Sequence, residues 1–454
     1  MEKGTCGGSV IHLFITWFLS YFAGYIVSPA LTDVTMSAVC PGRDECSLAI
    51  YLSSIQQAVI GLGMAWFTPL IGNLSDQYGR KALLTLPVTA AIIPLAILAY
   101  SRATNFFYAY FAFRTVTDMV GFASINCLAL AFLADNTRAD KRASAFGILS
   151  GVSTAAFVCA TVSARFLPET QTFQVGAIVS IASAVYMRIF LKDTKLEKDG
   201  EHLPLLSQTN VDHQDVESSK QVQNSEKIPS VLDIVSLFRD RKIVSQAAVV
   251  VFFSSLVDCG MQYSILYYLK ARFHFNKDQF ADVFLIGSLA GTVSLLFVMP
   301  LLVEAIGAEK LLSFSLLYGF ISWGIYSLSW SPWVPYALAL SFFFTYLPGP
   351  CIRSIVSKQV GSHEQGKVQG CISGISSLTA VVAPLVFSPL TALFLSEQAP
   401  FYYPGFSILC IGSMNLIAFI QSLMIRSDPC TAISNSSSDN PSNVVGASTA
   451  TEET

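Results

Sequence analysis

The sequence predicts an all-α membrane protein with twelve transmembrane helices in two six-helix pseudo-repeats. The chain is 53% hydrophobic and only 13% charged, whereas soluble domains carry about 25% charged residues. Apolar stretches of about twenty residues, enough to cross a hydrocarbon core about 30 Å thick, recur along the 454 residues. A short pattern of small residues also occurs twice, once in each half of the chain. Together these observations indicate a duplicated helical bundle in lipid.

Hydropathy places six spans in each half, numbered one to twelve in chain order. The first six lie near 10–31, 48–71, 82–101, 106–134, 143–167 and 173–191. The second six lie near 243–269, 281–303, 310–329, 333–356, 366–395 and 402–425. The predicted organisation is an N-terminal bundle over 1–191, a largely disordered polar linker over 192–242, a C-terminal bundle over 243–426 and a disordered tail over 427–454.

The repeated pattern supports two related halves. GILSGVS (147–153) begins span five, and GCISGIS (370–376) begins span eleven. A weaker echo pairs PLIGNLSDQYGRKALL, after span two, with PLLVEAIGAEKLL, after span eight, where most of the charge is missing. Parallel repeats of this kind build transporters with a site at the interface between the repeats. Chance recurrence of small residues in helices is the alternative for either echo taken alone.

Lysine and arginine in the short loops predict the orientation, because they concentrate on the cytosolic side of membrane proteins. The even-numbered loops hold nine of these residues and the odd-numbered loops six, and the flanks of the linker add more to the even side. Both termini are therefore expected in the cytosol. Cys40 and Cys46, in the loop CPGRDEC, fall on the opposite face, where a disulfide and two free thiols are both open.

Other function classes find little support in the sequence. The net charge of −3 gives no reason to expect nucleic acid as a partner. The sequence shows no nucleophile paired with a base, no metal-ligand cluster and no phosphate-binding loop. We therefore expect no enzymatic activity, no cofactor and no metal.

Three charged residues in spans four and seven are candidates for function, because an ionisable group near the bilayer centre costs about 3 kcal/mol or more on insertion scales. Arg114 and Asp118 are one turn apart in span four. They form either a structural ion pair or a site where a proton or an anion competes for one partner. Asp258 in span seven has no basic residue one turn away, and an isolated carboxylate in an apolar medium tends to take up a proton. Asp258 is therefore the leading candidate for proton coupling, with a polar contact to a neighbouring helix as the alternative.

The corner GNLSDQYGRKALL (72–84) reverses the chain between spans two and three. Gly72 and Gly79 permit the backbone angles and close helix approach that a tight corner needs. Asp76 is expected near the positive end of the third helix, and Arg80 and Lys81 hold the corner in the cytosol. On physical grounds alone this is a cytosolic hairpin.

The order of residues in that corner resembles the signature loop of the major facilitator superfamily, roughly G-x-L-[SA]-D-x-x-G-R-[RK], which follows the second of twelve spans in that family. FLADNTRADKRASAFG (132–147), DCGMQYS (258–264) and SKQVGSHEQGKVQG (357–370) are similar to its tetracycline-resistance-like branch, and especially to hippocampus-abundant-transcript-like proteins. The resemblance covers both membrane halves. It implies that the loop latches the cytosolic ends of the halves together through Asp76 and Arg80.

The resemblance also implies a cavity between the halves, faced by spans one, four, seven and ten. Asn126, Gln262 and Tyr263 would line it together with the three charged residues. Pro348 and Pro350 lack backbone donors and are expected to kink or interrupt span ten. The sequence departs from the drug/proton antiporters of the superfamily in two places. Span five lacks their Gly-Pro stretch, which argues against export by antiport and leaves symport or facilitation open. In span four, Asp118 stands where those proteins carry glycine.

The expected function is secondary transport of a small organic solute by alternating access, with proton coupling. A sensor or scaffold without transport and an uncoupled facilitator are the alternatives. The predicted linker contains Glu201, Leu205 and Leu206 in an acidic dileucine pattern that sorting adaptors read. We expect a monomer in the plasma membrane or in a vacuolar or lysosomal membrane.

Overall fold

The computed structural model describes residues 3–39, 47–191, 241–275, 277–361, 364–395 and 399–425. Over these ranges the chain is helical with short connections and contains no β-strand. Ten helices within them are long and apolar enough to cross a membrane. The helical part of the prediction is therefore confirmed. Cys40, Cys46, the acidic dileucine pattern and the predicted tail lie outside the described residues.

The N-terminal half follows the predicted order of spans. Its helices are Lys3–Ile26 and Ser28–Val39 (span one), Ser47–Tyr78 (two), Arg80–Ala90 and Ile92–Tyr100 (three), Thr104–Val120 and Phe122–Asp135 (four), Arg142–Phe166 (five) and Glu169–Phe190 (six).

The C-terminal half follows it as well. Its helices are Lys242–Phe273 (span seven), Lys277–Val293, a π-helical turn Ser294–Val298 and Met299–Ile306 (eight), Ala308–Ser327 (nine), Val334–Ser341, a 3-10 turn Phe342–Phe344 and Pro348–Lys358 (ten), Gln365–Leu395 (eleven) and Phe406–Ser422 (twelve). Ala308–Ser327 and Phe406–Ser422 are not among the ten membrane-length helices, but each coincides with a predicted span.

Span ten is interrupted where the two prolines occur. Its first helix ends at Ser341, and regular α-helix resumes at Pro348 after the 3-10 turn. Proline suits the first turn of a helix, since the backbone N–H that it lacks would have no partner within the helix there. Pro348 and Pro350 therefore begin a new helical segment, and both are buried.

The repeated small residues lie where spans from different halves cross. Span eleven packs Gly370 and Gly374 against Pro69 of span two, and a Cβ at Gly370 would lie 3.0 Å from the Thr68 carbonyl oxygen. In span five, Gly147 touches Met299 and Gly151 touches Leu296, both on span eight. Small residues let helix backbones approach closely in membranes. Each copy of the repeat thus joins its own half to the other.

The two echoed corners share one backbone conformation. Gly79 has φ 92° and ψ 148°, and Gly307 has φ 84° and ψ 155°. These angles favour glycine, since other residues adopt a positive φ only at a cost. The corner after span eight therefore keeps the shape of the corner after span two, although it has lost most of the charge. The face that carries residues 72–84, predicted to be cytosolic, is called the inner face, and the other is the outer face.

Candidate functional site

The charged corner closes the inner face against span eleven. The Asp76 carboxylate accepts hydrogen bonds from the backbone N–H groups of Gly366 (3.0 Å) and Lys367 (2.8 Å). These donors belong to the first turn of span eleven, where N–H groups have no partner within the helix and the helix dipole is positive. Asp76 therefore lies at the start of span eleven, a contact that the sequence did not predict, and it also pairs with Arg80, the first residue of span three.

Arg80 ties this contact to span four. It is 4% exposed and pairs with Asp76 and, at 2.9 Å, with Asp135 at the end of span four. Its guanidinium also donates to the Ser75 hydroxyl. Lys81 is less buried and donates to the Arg188 carbonyl oxygen at 3.2 Å. The corner is thus a buried charge network that spans two, four and eleven share.

Two further contacts seal the inner face. The Arg142 guanidinium, at the start of span five, donates to the Ser357 carbonyl oxygen of span ten at 2.9 Å. Gly72 packs so closely on span eleven that a Cβ there would collide with the Gly366 carbonyl oxygen. Beside it, the fully buried Cys127 thiol points at the same carbonyl oxygen at 3.5 Å. Spans from both halves therefore meet without a gap at this level.

We expect Asp76→Asn to weaken this closure while the protein still folds and inserts. Asparagine keeps one acceptor oxygen but loses the charge that binds the helix terminus and Arg80. Hydrogen bonds to charged groups contribute about 1.5–3 kcal/mol, so the open population should rise about tenfold or more. Spin labels at Gln77→Cys and Lys358→Cys, both exposed on the inner face, would report the opening as longer distances.

Asp140→Asn is the matched control, because Asp140 is an exposed acid of the same face that pairs with Arg138 at 3.5 Å. It should leave the distances unchanged. Unchanged distances in Asp76→Asn as well would show that the corner is an ordinary hairpin.

Asp258 faces the interior of the bundle. Val249 and Tyr267 of the same helix are exposed, as lipid-facing residues are, and Asp258 is nine residues from each, about two and a half turns. Ser255 and Cys259, beside it in span seven, contact Ser376 and Thr379 of span eleven. The Asp258 side chain nevertheless keeps open surface although protein surrounds it. It therefore lines an open space inside the protein, called here the central cavity.

Tyrosines continue this cavity from span seven to spans ten and one. Tyr346 lies within electrostatic range of both Asp258 and Tyr25. The Tyr25 and Tyr21 rings are 5.6 Å apart, and Tyr21 lies within electrostatic range of Arg353 in span ten. These tyrosines thus lie between the acidic group of Asp258 and the basic group of Arg353.

Arg353 is the residue that the sequence analysis missed, because it was one of the nine cations assigned to the even-numbered loops. It belongs to the helix Pro348–Lys358, and its guanidinium turns inward to the Ser373 hydroxyl (3.1 Å) and the Gln369 side-chain oxygen (3.3 Å). The signal was present in the sequence, since Ile355 and Val356 extend the apolar run of span ten beyond it.

Arg114 and Asp118 form the predicted pair. Their side chains meet at 3.1 Å and are 29% and 34% exposed. Arg114 also donates to the hydroxyl of Tyr110, which is buried against spans one, five and six. Among the residues placed in the cavity by resemblance, Asn126 is half-buried and Gln262 is exposed one turn beyond Asp258. Tyr263 lies on the same helix, but its side chain is outside the described part of the structure.

Most of the chain matches one known family of membrane proteins. The sequence profile of the Major Facilitator Superfamily matches residues 13–384. The chain belongs to the Major Facilitator Superfamily. It is a multi-pass membrane protein with the fold of a transporter, so the predicted family and fold class are confirmed.

Named relatives agree with this assignment. The chain is 25% identical to the mouse Hippocampus abundant transcript 1 protein over 399 residues, covering 86% of this chain and 75% of that one. It is 23% identical to the class B Tetracycline resistance protein of Escherichia coli over 341 residues, covering 73% and 77%. Its fold is similar to that of the human organic anion transporter MFSD10 (TETRAN), with a TM-score of 0.74, 17% identity and coverage of 92% and 100%.

A second Major Facilitator Superfamily structure, that of FucP in the outward conformation, is similar with a TM-score of 0.67 and 14% identity, covering 92% of this chain and 98% of that one. At these identities the solved structures establish the shared fold. The chemistry of the cavity must be argued from the residues of this chain.

Proposed function

We propose that this superfamily member moves a small organic solute by alternating access and couples the movement to protons through Asp258. The observation that carries the proposal is the position of the Asp258 carboxyl on the central cavity. Within the described residues it has no ion-pair partner within 4.0 Å. An ionised group in such surroundings is costly, so intramembrane carboxyls commonly mark proton pathways.

The closed inner face supports alternating access. Asp76, Arg80 and Arg142 join the halves through contacts that can be broken and remade without unfolding a helix. An open cavity above a closed face is one of the two states that such a transporter alternates between. The solutes in the names of similar proteins, tetracycline and an organic anion, are small organic molecules, which supports the proposed substrate class.

The proposal keeps the predicted orientation and environment. The loop charges support cytosolic termini, in the plasma membrane or a vacuolar or lysosomal membrane. Sorting adaptors would bind the linker at Glu201, Leu205 and Leu206, and the protein would act as a monomer made of two bundles.

The test is a solute screen in proteoliposomes, with and without an imposed pH gradient. For a solute that the gradient drives, Asp258→Asn should abolish gradient-driven accumulation, because asparagine cannot take up and release a proton. Exchange of labelled for unlabelled solute across the membrane should persist. Asp278→Asn is the control, since Asp278 is an exposed acid in the first turn of span eight, and gradient-driven accumulation should persist in it.

Gradient-driven accumulation that survives in Asp258→Asn would contradict the coupling assignment. Flux that never responds to the gradient would favour an uncoupled facilitator. A complete lack of flux would favour a sensor or scaffold.

A further inference from the structure

We propose that Arg353 binds an anionic group of the solute, so that the transported substrate is an organic anion. This inference rests on the proposed transport function and deepens it. The juxtaposition that carries it is a basic side chain, without a carboxylate partner, facing the floor of the central cavity directly above the closed inner face.

Among the described residues, no carboxylate balances the charge of Arg353. Its two hydrogen-bond partners, Ser373 and Gln369, are both neutral. No carboxylate of the described residues lies within 4.0 Å of its guanidinium. Arg80 and Arg114 differ, because Arg80 pairs with two aspartates and Arg114 with one. Arg353 therefore carries an unbalanced positive charge inside the bundle.

The guanidinium also has donors to spare. Arginine presents five N–H donors in a planar fork, and only the Nη1 group of Arg353 meets protein acceptors. The side chain is only partly buried, and its remaining nitrogen atoms are not among the buried polar atoms that lack a partner. They therefore face the open space of the cavity. A fork of this kind matches the two oxygens of a carboxylate or of a related oxyanion.

The surroundings of Arg353 suit an organic rather than a bare inorganic anion. Tyr21 lies within electrostatic range of the guanidinium, and the Tyr21 ring is 4.6 Å from that of Trp17. Tyr25 follows one turn along and packs edge-on against Phe157 at 5.1 Å. The half-buried Tyr25 and Phe157 rings provide an apolar surface for the body of a solute whose charged end is held by arginine, whereas Trp17 and Tyr21 are buried in the core beside them.

The position also connects binding to movement. Gln369 and Ser373 flank Gly370 on span eleven, the residue that packs against Thr68 and Pro69 of span two. An anion bound by the spare Arg353 donors lies beside the Nη1 group that contacts Gln369 and Ser373 of span eleven. The anion is therefore bound next to the helix whose first turn is held by Asp76 and which must move when the inner face opens.

The experiment measures thermal unfolding of the purified full-length protein with matched probes: benzoate, 2-naphthoate and glutarate, each beside its uncharged amide. The carboxylates should raise the Tm of the wild type and the amides should not. Arg353→Gln should bind the stabilising carboxylates at least about tenfold more weakly, because a hydrogen bond to a charged group is lost. Arg353→Lys keeps the charge and should retain part of the effect.

Arg272→Gln is the control for general surface charge, since Arg272 is an exposed arginine near the outer end of span seven. It should respond to the carboxylates as the wild type does. Sodium chloride against sodium gluconate at equal ionic strength separates an inorganic anion from an organic one. Stabilisation by chloride alone would overturn the organic-anion assignment.

The inference is also overturned if no carboxylate stabilises the wild type, if amides match the carboxylates, or if Arg353→Gln keeps the full effect. Should Arg353→Gln fail to fold, modification of the wild-type arginine by phenylglyoxal takes its place. Carboxylates, but not amides, should then slow the labelling of Arg353, and labelling that carboxylates do not slow would contradict the proposal. Carboxylate binding without any flux would refute the proposed transport function but leave the anion site standing. Flux of a neutral solute at the wild-type rate in Arg353→Gln would support transport but contradict the anion site.

Discussion

Arg80→Met is expected to lower the thermal stability of the protein more than any other single replacement considered. Methionine fills similar space but leaves the Asp76 and Asp135 carboxylates without the cation that both contact. Arg80 is 4% exposed, so water cannot replace it. Removing one partner of a buried ion pair costs about 3–5 kcal/mol. The loss should appear as a large fall in Tm and in the fraction that remains monodisperse after heating.

Arg138→Met is the matched control, since the Arg138 side chain is 84% exposed and pairs with Asp140 at 3.5 Å. Exposed ion pairs contribute about 0–1 kcal/mol, so its Tm should hardly change. Arg80→Lys should fall between the two, because lysine keeps the charge without the planar fork. If Arg80→Met has the same Tm as Arg138→Met, the buried charge network is not needed for stability.

Gly370→Val is expected to force the inner face open. Three backbone atoms of span two lie within 3.2 Å of the position that a Cβ would take, and backbone atoms cannot move aside as a flexible side chain can. Spans two and eleven must then separate at this level. The Cys127 thiol, which is fully buried beside the same crossing, should become accessible. Its rate of maleimide labelling, with the other cysteines replaced by serine, measures the opening.

Gly324→Val provides the comparison, because Gly324 is also inside a helix but has nothing within 4 Å of a Cβ. Any cost of valine to the helix itself is common to both variants. Labelling of Cys127 should therefore stay slow in Gly324→Val. Equally slow labelling in Gly370→Val would mean that the two spans do not close the inner face in the membrane.

The class of fold could be predicted from the sequence because transmembrane helices are recognised by the length and apolar composition of their segments. The corner at 72–84 could also be found, since glycine, aspartate and arginine occur there in a fixed order. Its partner could not, because Asp76 binds backbone N–H groups 290 and 291 residues away. Every residue except proline has a backbone N–H group, so the residue types at these positions gave no sign of the contact.

Of the two charged residues that line the cavity, the sequence singled out Asp258 but not Arg353. Asp258 stood out because a charge in an apolar run is conspicuous and no basic residue lies one turn away in the sequence. Arg353 was overlooked because it lies close to the predicted end of span ten, where a cation is usually a loop residue. Its inward direction depends on where the helix restarts at Pro348, which is a property of the tertiary structure.

The two faces of the bundle are fastened unequally, and this has a kinetic consequence. The inner face is held by a buried charge network and close backbone packing. On the outer face, within the described residues, one ion pair joins spans five and eight, Arg165 with Asp282, and both side chains are about half exposed. For the proposed alternation between two orientations, we therefore expect opening of the inner face, and not opening of the outer one, to set the turnover rate.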